Sequence, residues 1–298
     1  MLKLKAKILE IFKSASHEKS PEAEADLILF HAFRTQNPKL HNLGELRSQN
    51  LVATPEVSEE ALRIAEDRAK GIPLQHILGH QFFFEHEYLV DDSTLIPRPE
   101  TEILISEILD YLKNHFAEKP FRFAELGLGS GILSAEILAR FKNASGVASE
   151  INPLAIALAR QNLEKIIGPD FDKRFSILEP GSELGGFEVF SDSGPFDVVI
   201  SNPPYVSRSD EIEKEVLNYE PHQALFPLAQ TEVENPNYFY ENFISQKAGV
   251  LKKDGAVFFE VPHERALKIL VLFQKAGFRS IKLVPDLTGR HRVLQANF

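Results

Sequence analysis

The sequence predicts an α/β protein: a doubly wound, Rossmann-like sheet of seven strands with an antiparallel last strand, preceded by a small all-helical domain and a β-hairpin linker. Three observations carry this. From residue 99 onward helical and strand periodicities alternate, the pattern of a parallel sheet with helices on both faces. The run FDVVIS at 196–201 is largely apolar and stops in Asn202-Pro203-Pro204-Tyr205, as a buried inner strand does where proline ends its ladder. Residues 127–131 read Gly-Leu-Gly-Ser-Gly between a strand and a helix, where glycine lets the backbone turn tightly beside a ligand.

The elements follow in order. Residues 1–71 form the helical domain. Apolar positions in MLKLKAKILEIFK are interrupted by Lys5, Lys7, Glu10 and Lys13, the mark of an amphipathic helix rather than of a signal-peptide core. Ser20-Pro21 is a cap and first-position pair for a second helix, which Asn37-Pro38 ends. Thr54-Pro55 or Ser58 caps a third, which stops at Gly71. A bundle of four or five helices is expected, in which His17, His31 and His41 have no ligand spacing. Residues 72–98 turn aromatic and β-branched and read as the hairpin linker, with a turn at Asp91-Asp92. His76, His80 and His86 within it are read as structural. Residues 99–298 are the α/β domain. It opens on the helix PETEILISEILDYLKNHF, with strands near 121–126, 145–150, 174–178, 196–201, 256–261, 280–285 and 292–298. The last two are joined by only PDLTGRH, too short for a parallel crossover, so they run antiparallel.

Composition bounds the function. A chain of 298 residues, 43% hydrophobic and 26% charged, has the make-up of an ordinary soluble globular protein with room for two cores. It has no cysteine, which excludes disulfides and thiolate metal sites and suits a reducing, cytoplasmic location. No apolar run reaches membrane-spanning length. The net charge is −10, nearly all of the acid excess lies beyond residue 85, and no basic run offers a footprint for duplex DNA.

Two candidate sites stand out. At Asn202-Pro203-Pro204-Tyr205, proline stiffens the chain at a strand's carboxyl end, where open α/β sheets hold ligands. The Asn202 side-chain oxygen and the Pro203 carbonyl are acceptors that can grip the two N–H groups of a planar –NH2, while Tyr205 packs on its flat face. An amide or amino-heterocycle nitrogen is a poor nucleophile, so catalysis there rests on positioning. The second site spans Glu125, Gly127, Leu128, Gly129, Ser130 and Gly131, with Glu150 at the next strand end, 19 residues past Gly131. The glycine spacing is not the dinucleotide G-x-G-x-x-G. An acid for ribose hydroxyls, a second acid for an ammonium and glycines between them point to S-adenosylmethionine rather than NAD. The chemistry expected is methyl transfer to a nitrogen, leaving S-adenosylhomocysteine, with no metal. The substrate remains open between a protein amide and adenine's exocyclic amine, as does a non-catalytic binding module.

GIPLQHILG (71–79), LIPRPETE (95–102), ELGLGSG (125–131), ISNPPYV (200–206), EPHQAL (220–225) and DLTGRHRV (286–293) together resemble the bacterial HemK/PrmC-type glutamine methyltransferases of peptide chain release factors. The resemblance implies a class I methyltransferase sheet behind a helical, substrate-recognising domain. It also implies N5-methylation of the Gln in the Gly-Gly-Gln loop of class 1 release factors; a monomer is expected. By position, Asn202, Pro203, Pro204 and Tyr205 would hold the Gln side chain, with Arg98 and Glu100 at the site mouth. Glu125, Gly127, Leu128, Gly129, Ser130, Gly131, Glu150 and Asn202 would line the cofactor site. Three departures from the family stand out: Glu125 in place of Asp, SILEPGSE (176–183) without an acidic-aromatic pair at the adenine, and FPLAQTEVENPN (226–237) in place of a glycine-rich turn. Glu179 is the candidate at the adenine; Arg290 and Arg292 are candidates for substrate docking or for an ion pair.

Overall fold

The computed structural model describes residues 1–15, 20–49, 51–180, 185–227 and 234–298. His17, residues 181–183 of SILEPGSE and residues 228–233 of FPLAQTEVENPN lie outside the described residues. The chain divides into two units, Met1–His80 and Gln81–Phe298.

The first unit is helical: α1 (Leu2–Ser14), α2 (Pro21–Gln36), α3 (Leu43–Ser48), α4 (Pro55–Ala69) and α5 (Leu74–Leu78). In α1, Leu4, Ile8 and Phe12 recur every fourth residue and are buried, so one stripe faces the core and the lysines face water. The Thr54 hydroxyl accepts from the Val57 N–H at 3.3 Å and caps α4. Ser20 does not cap α2 through its side chain: its backbone is left-handed (φ 37°) and its carbonyl takes the Ala23 and Glu24 N–H groups instead. The buried Arg68 pairs with Glu24 at 2.8 Å and donates to the Ile72 carbonyl at 3.1 Å, which satisfies a charge that would otherwise be costly to bury.

A two-stranded hairpin follows, β1 (His80–Phe83) and β2 (His86–Leu89). Its turn falls at Phe84 and Glu85, with Phe84 at φ 54°, and not at Asp91-Asp92. Asp91 instead accepts from the Ser93 N–H at 2.9 Å, a local Asx turn. Nor is all of 72–98 extended, since 74–78 is α5.

Then come α6 (Pro99–His115), β3 (Phe121–Leu126), α7 (Ile132–Arg140), β4 (Ala144–Ser149), α8 (Pro153–Ile167), β5 (Phe175–Leu178) and β6 (Phe196–Ser201). After them run α9 (Lys214–Tyr219), α10 (His222–Leu225), α11 (Tyr238–Val250), β7 (Leu251–Glu260), α12 (Ala266–Lys275), β8 (Arg279–Pro285) and β9 (His291–Asn297). The seven expected strands form one sheet, ordered β5-β4-β3-β6-β7-β9-β8. β9 runs antiparallel to both β7 and β8, while the β5-β4-β3-β6-β7 run is parallel throughout. β7 begins at Leu251, not 256; its polar Lys252-Lys253-Asp254 lead-in conceals the start, and the pairing with β6 is irregular between Phe196 and Val198. The short helices α9 and α10 were not expected from the sequence.

β3 is the switch point. It pairs with β4 on one side and β6 on the other, so the chain winds away in both directions and a crevice opens at the strands' carboxyl ends. Leu126 pairs with Ser201, and the Ser201 hydroxyl donates to the Leu126 carbonyl at 2.7 Å. The glycine loop and Asn202 therefore leave the sheet side by side.

Candidate active site

One cleft lies over this switch point. Its walls include Glu125, Gly127, Leu128, Gly129, Ser130, Glu150, Asn202, Pro204 and Arg98. Gly131, Pro203, Tyr205 and Glu100, also expected at the site, are not on its walls. Glu179 is exposed and likewise off the cleft.

The glycine loop is held by its own backbone. The N–H groups of Gly127 and Leu128 donate to the Ser149 carbonyl at 2.9 and 3.1 Å, so the loop hangs from the end of β4. Gly127 and Gly129 have φ of 75° and 53°, and a side chain at either would point into open space. Glycine is used there for its left-handed backbone. Gly131 (φ 82°) starts α7, where a Cβ would come within 3.3 Å of Ala159.

Two carboxylates sit at the strand ends below. Glu125 is buried; its Oε2 accepts from the Ser134 N–H at 3.1 Å and from the Ser134 hydroxyl. Burial pushes its acid up to about 8, against the lowering effect of the Ser134 bonds. Glu150 closes β4. Its Oε2 accepts from Gly129 N–H at 2.9 Å and its Oε1 from Asn152 N–H at 3.0 Å. Burial raises its acid as well, opposed by these backbone donors. Asn152, which no motif marks, caps α8 by accepting from the Leu154 N–H and donates to the Ser93 carbonyl at 2.9 Å, pinning the cleft's rim.

The Asn202 corner is built differently. Asn202 Nδ2 donates to Thr101 Oγ1 at 3.2 Å. Thr101 Oγ1 donates to Glu260 Oε2 at 2.8 Å, and the Tyr205 hydroxyl donates to Glu260 Oε1 at 3.0 Å. The Tyr240 hydroxyl donates to the Glu260 backbone carbonyl at 2.8 Å. Burial raises Glu260 to about 7, against the Thr101 and Tyr205 bonds. Burial beside Glu260 also holds the Tyr205 phenol well above its usual range. Tyr205 thus directs its hydroxyl to Glu260 and packs its ring on the core beneath the sheet, rather than lining the cleft as expected. An Arg265 guanidinium donates to the Tyr205 carbonyl and fixes the chain beyond the corner.

At the rim Arg98 pairs with the buried Glu220, whose other oxygen accepts from Ile96 N–H at 3.1 Å. Glu100 faces Arg292 at 3.6 Å, and Arg292 pairs with Asp286 at 2.9 Å. Of the two readings of Arg292, the structure gives the ion pair. His86 accordingly meets Glu136 at 2.9 Å, and among the described residues no cluster has the make-up of a metal site.

A family model described as Eco57I restriction-modification methylase matches residues 134–269. The release factor glutamine methyltransferase of Agrobacterium fabrum is 33% identical over 248 residues, covering 80% of each chain. The chain belongs to the release factor glutamine methyltransferase family. The member from Bacillus anthracis is 28% identical over 278 residues, covering 92% of each chain. In structure, the METTL16 MTase domain (crystal form 2) is similar with a TM-score of 0.50 and 14% identity, over 82% of this chain and 81% of that one; this likeness concerns the fold. Family and fold make the protein a methyltransferase and imply the use of S-adenosylmethionine. Among the described residues no helix is long and apolar enough to cross a membrane.

Proposed function

We propose that this protein transfers a methyl group from S-adenosylmethionine to the side-chain N5 of the glutamine in the Gly-Gly-Gln loop of class 1 release factors. It does so as a cytoplasmic monomer whose helical domain recognises the substrate. The observation that carries the reading is the pairing of Leu126 with Ser201, which sets an amide-gripping residue, Asn202, beside an acid-and-glycine loop on one cleft.

The chemistry of the loop's donor set supports a sulfonium nucleoside. Glu125 offers a carboxylate to an ammonium, Glu150 offers lone pairs to ribose hydroxyls, and Gly127 and Gly129 leave open space beside them. S-adenosylmethionine supplies the electrophilic methyl when bound. The chain's own part is orientation. Asn202, on the cleft wall, holds the substrate amide, and the rigid diproline behind it keeps that acceptor in place. The substrate amide loses one proton as it gains the methyl, and no wall residue is required as a base.

The match to a restriction-modification methylase model across residues 134–269 favours a second reading, methylation of adenine's amino group, because that nitrogen makes the same demand on Asn202. The net charge of −10 and the likeness to a glutamine methyltransferase over 92% of the chain weigh against it. Labelled S-adenosylmethionine offered with a release factor, its Gln→Ala form and duplex DNA separates the two. Label on the intact factor alone is expected. Label on DNA would replace the reading with the second, and label on the Gln→Ala form would refute the assigned site.

A further inference from the structure

Asn202 is useful to an amide substrate only one way round. Its side chain ends in an oxygen and an NH2 of nearly equal size, and only the oxygen can accept the substrate's N–H. Something must fix which end faces the cleft. The neighbour that does so is Thr101, in the first turn of α6, 3.2 Å from Asn202 Nδ2.

Thr101 has a single hydroxyl hydrogen. Its oxygen lies 2.8 Å from Glu260 Oε2, and an ionised carboxylate can only accept. The hydrogen is therefore committed to Glu260, which leaves Thr101 only lone pairs for Asn202. Asn202 must then offer its NH2 to Thr101 and its oxygen to the cleft. Glu260 is anchored in turn by the Tyr205 hydroxyl on Oε1, at 3.0 Å. Thr101 and Glu260 are both buried and the bond between them is shielded from water, so the direction of each bond is forced by the next.

Resting on the glutamine reading above, we infer that Thr101 and ionised Glu260 are positioning residues that lock the Asn202 amide with its oxygen toward the substrate. The lock has a proton switch. A proton on Glu260 Oε2 donates to Thr101, turns the Thr101 hydrogen toward Asn202 and favours the flipped amide, with NH2 facing the substrate's own N–H. Burial raises the Glu260 acid to about 7, so the switch falls in the working range. The groups facing Glu260 act both ways. Glu100 on α6 raises it; Arg292 on β9 and the hydroxyls of Thr101 and Tyr205 lower it. On α11 the neutral Tyr240 meets its backbone, and Arg265 lies near Tyr240.

The test uses the full chain with Thr101→Val, Thr101→Ser and Glu260→Gln. Thr101→Val should lower kcat about 10- to 100-fold, the effect of a lost buried hydrogen bond at the site, with Kd for S-adenosylmethionine within about 2-fold. Thr101→Ser, which keeps the hydroxyl, should restore most of the rate. Wild-type kcat should fall below about pH 7, and Glu260→Gln should abolish that limb. Wild-type kcat in Thr101→Val, or equal losses of rate and cofactor affinity, would overturn the inference. A second readout is independent of any substrate: the 15N-labelled Asn202 side-chain NH2 resonances should shift in Thr101→Val and on acidification through pH 7. Resonances that ignore both changes would overturn the lock. If they respond while no release factor is methylated, the lock is supported and only the glutamine reading fails.

Discussion

Glu125 and Glu260 invite comparison because they look alike and are wired differently. Each sits at the carboxyl end of a strand, each is buried, and each has an acid raised by that burial, to about 8 and about 7. Both bonds to Glu125 end on Oε2, from Ser134, and the residue stands on the cleft wall. Glu260 has one oxygen taken by Thr101 and the other by Tyr205. Glu125 keeps one oxygen open to a cationic ligand, whereas both oxygens of Glu260 are taken by side-chain hydroxyls, so Glu260 orients those neighbours. A raised pKa alone does not tell the two apart.

Four substitutions would break or sharpen that contrast. Asn202→Ala has the largest expected effect: turnover should fall by about 10²–10³-fold, the scale of losing a positioned polar group at the reacting centre, while calorimetry should find cofactor affinity near wild type. Equal losses would remove Asn202 from the orienting role. Next, Glu125→Gln should weaken cofactor binding about 10- to 100-fold, as for a lost bond to a charged group, and should stabilise the empty protein at high pH. The sign follows from linkage. The folded acid, raised to about 8, keeps a proton that the unfolded chain gives up near the ordinary glutamate value of 4.5. Its stability contribution is therefore complete below 4.5 and is lost as pH rises through about 8. Melting temperature against pH should slope downward over that window in the wild type and less so in Glu125→Gln; parallel curves would refute the assignment.

Glu150→Ala should cost roughly 1–3 kcal/mol of cofactor binding, read by the same calorimetry, and unchanged affinity would take Glu150 out of the site. The smallest effect belongs to Ser134→Ala. It removes the hydroxyl donor to Glu125 but leaves the backbone N–H, so the pH midpoint of cofactor binding should move upward only slightly. A downward move would contradict the account of Glu125.

The two walls of the cleft were not equally legible in the sequence. The glycine loop, Glu125, Glu150 and the Asn202 corner are local patterns, each within a few residues of a strand end, and the structure puts Glu125, Glu150 and Asn202 on one cleft. Thr101 and Glu260 are separated by 159 residues and meet because α6 packs against β7, while Ser201 opposite Phe259 brings Asn202 alongside. Glu260 did leave a trace: like Glu125 and Glu150, it is an acid within a residue of an apolar strand's end. The hairpin turn was misplaced because Asp91-Asp92 has turn composition, whereas the actual turn puts an aromatic, Phe84, at positive φ. Tyr205 was expected at the substrate because a motif does not disclose which way a ring points.

The most direct measurement locates the methyl group. Tandem mass spectrometry of a class 1 release factor incubated with the protein and S-adenosylmethionine should find one methyl, on the side chain of the Gly-Gly-Gln glutamine, absent with Asn202→Ala. A methyl on any other residue, or one that persists with Asn202→Ala, would contradict the claim that this corner exists to hold and orient a glutamine amide.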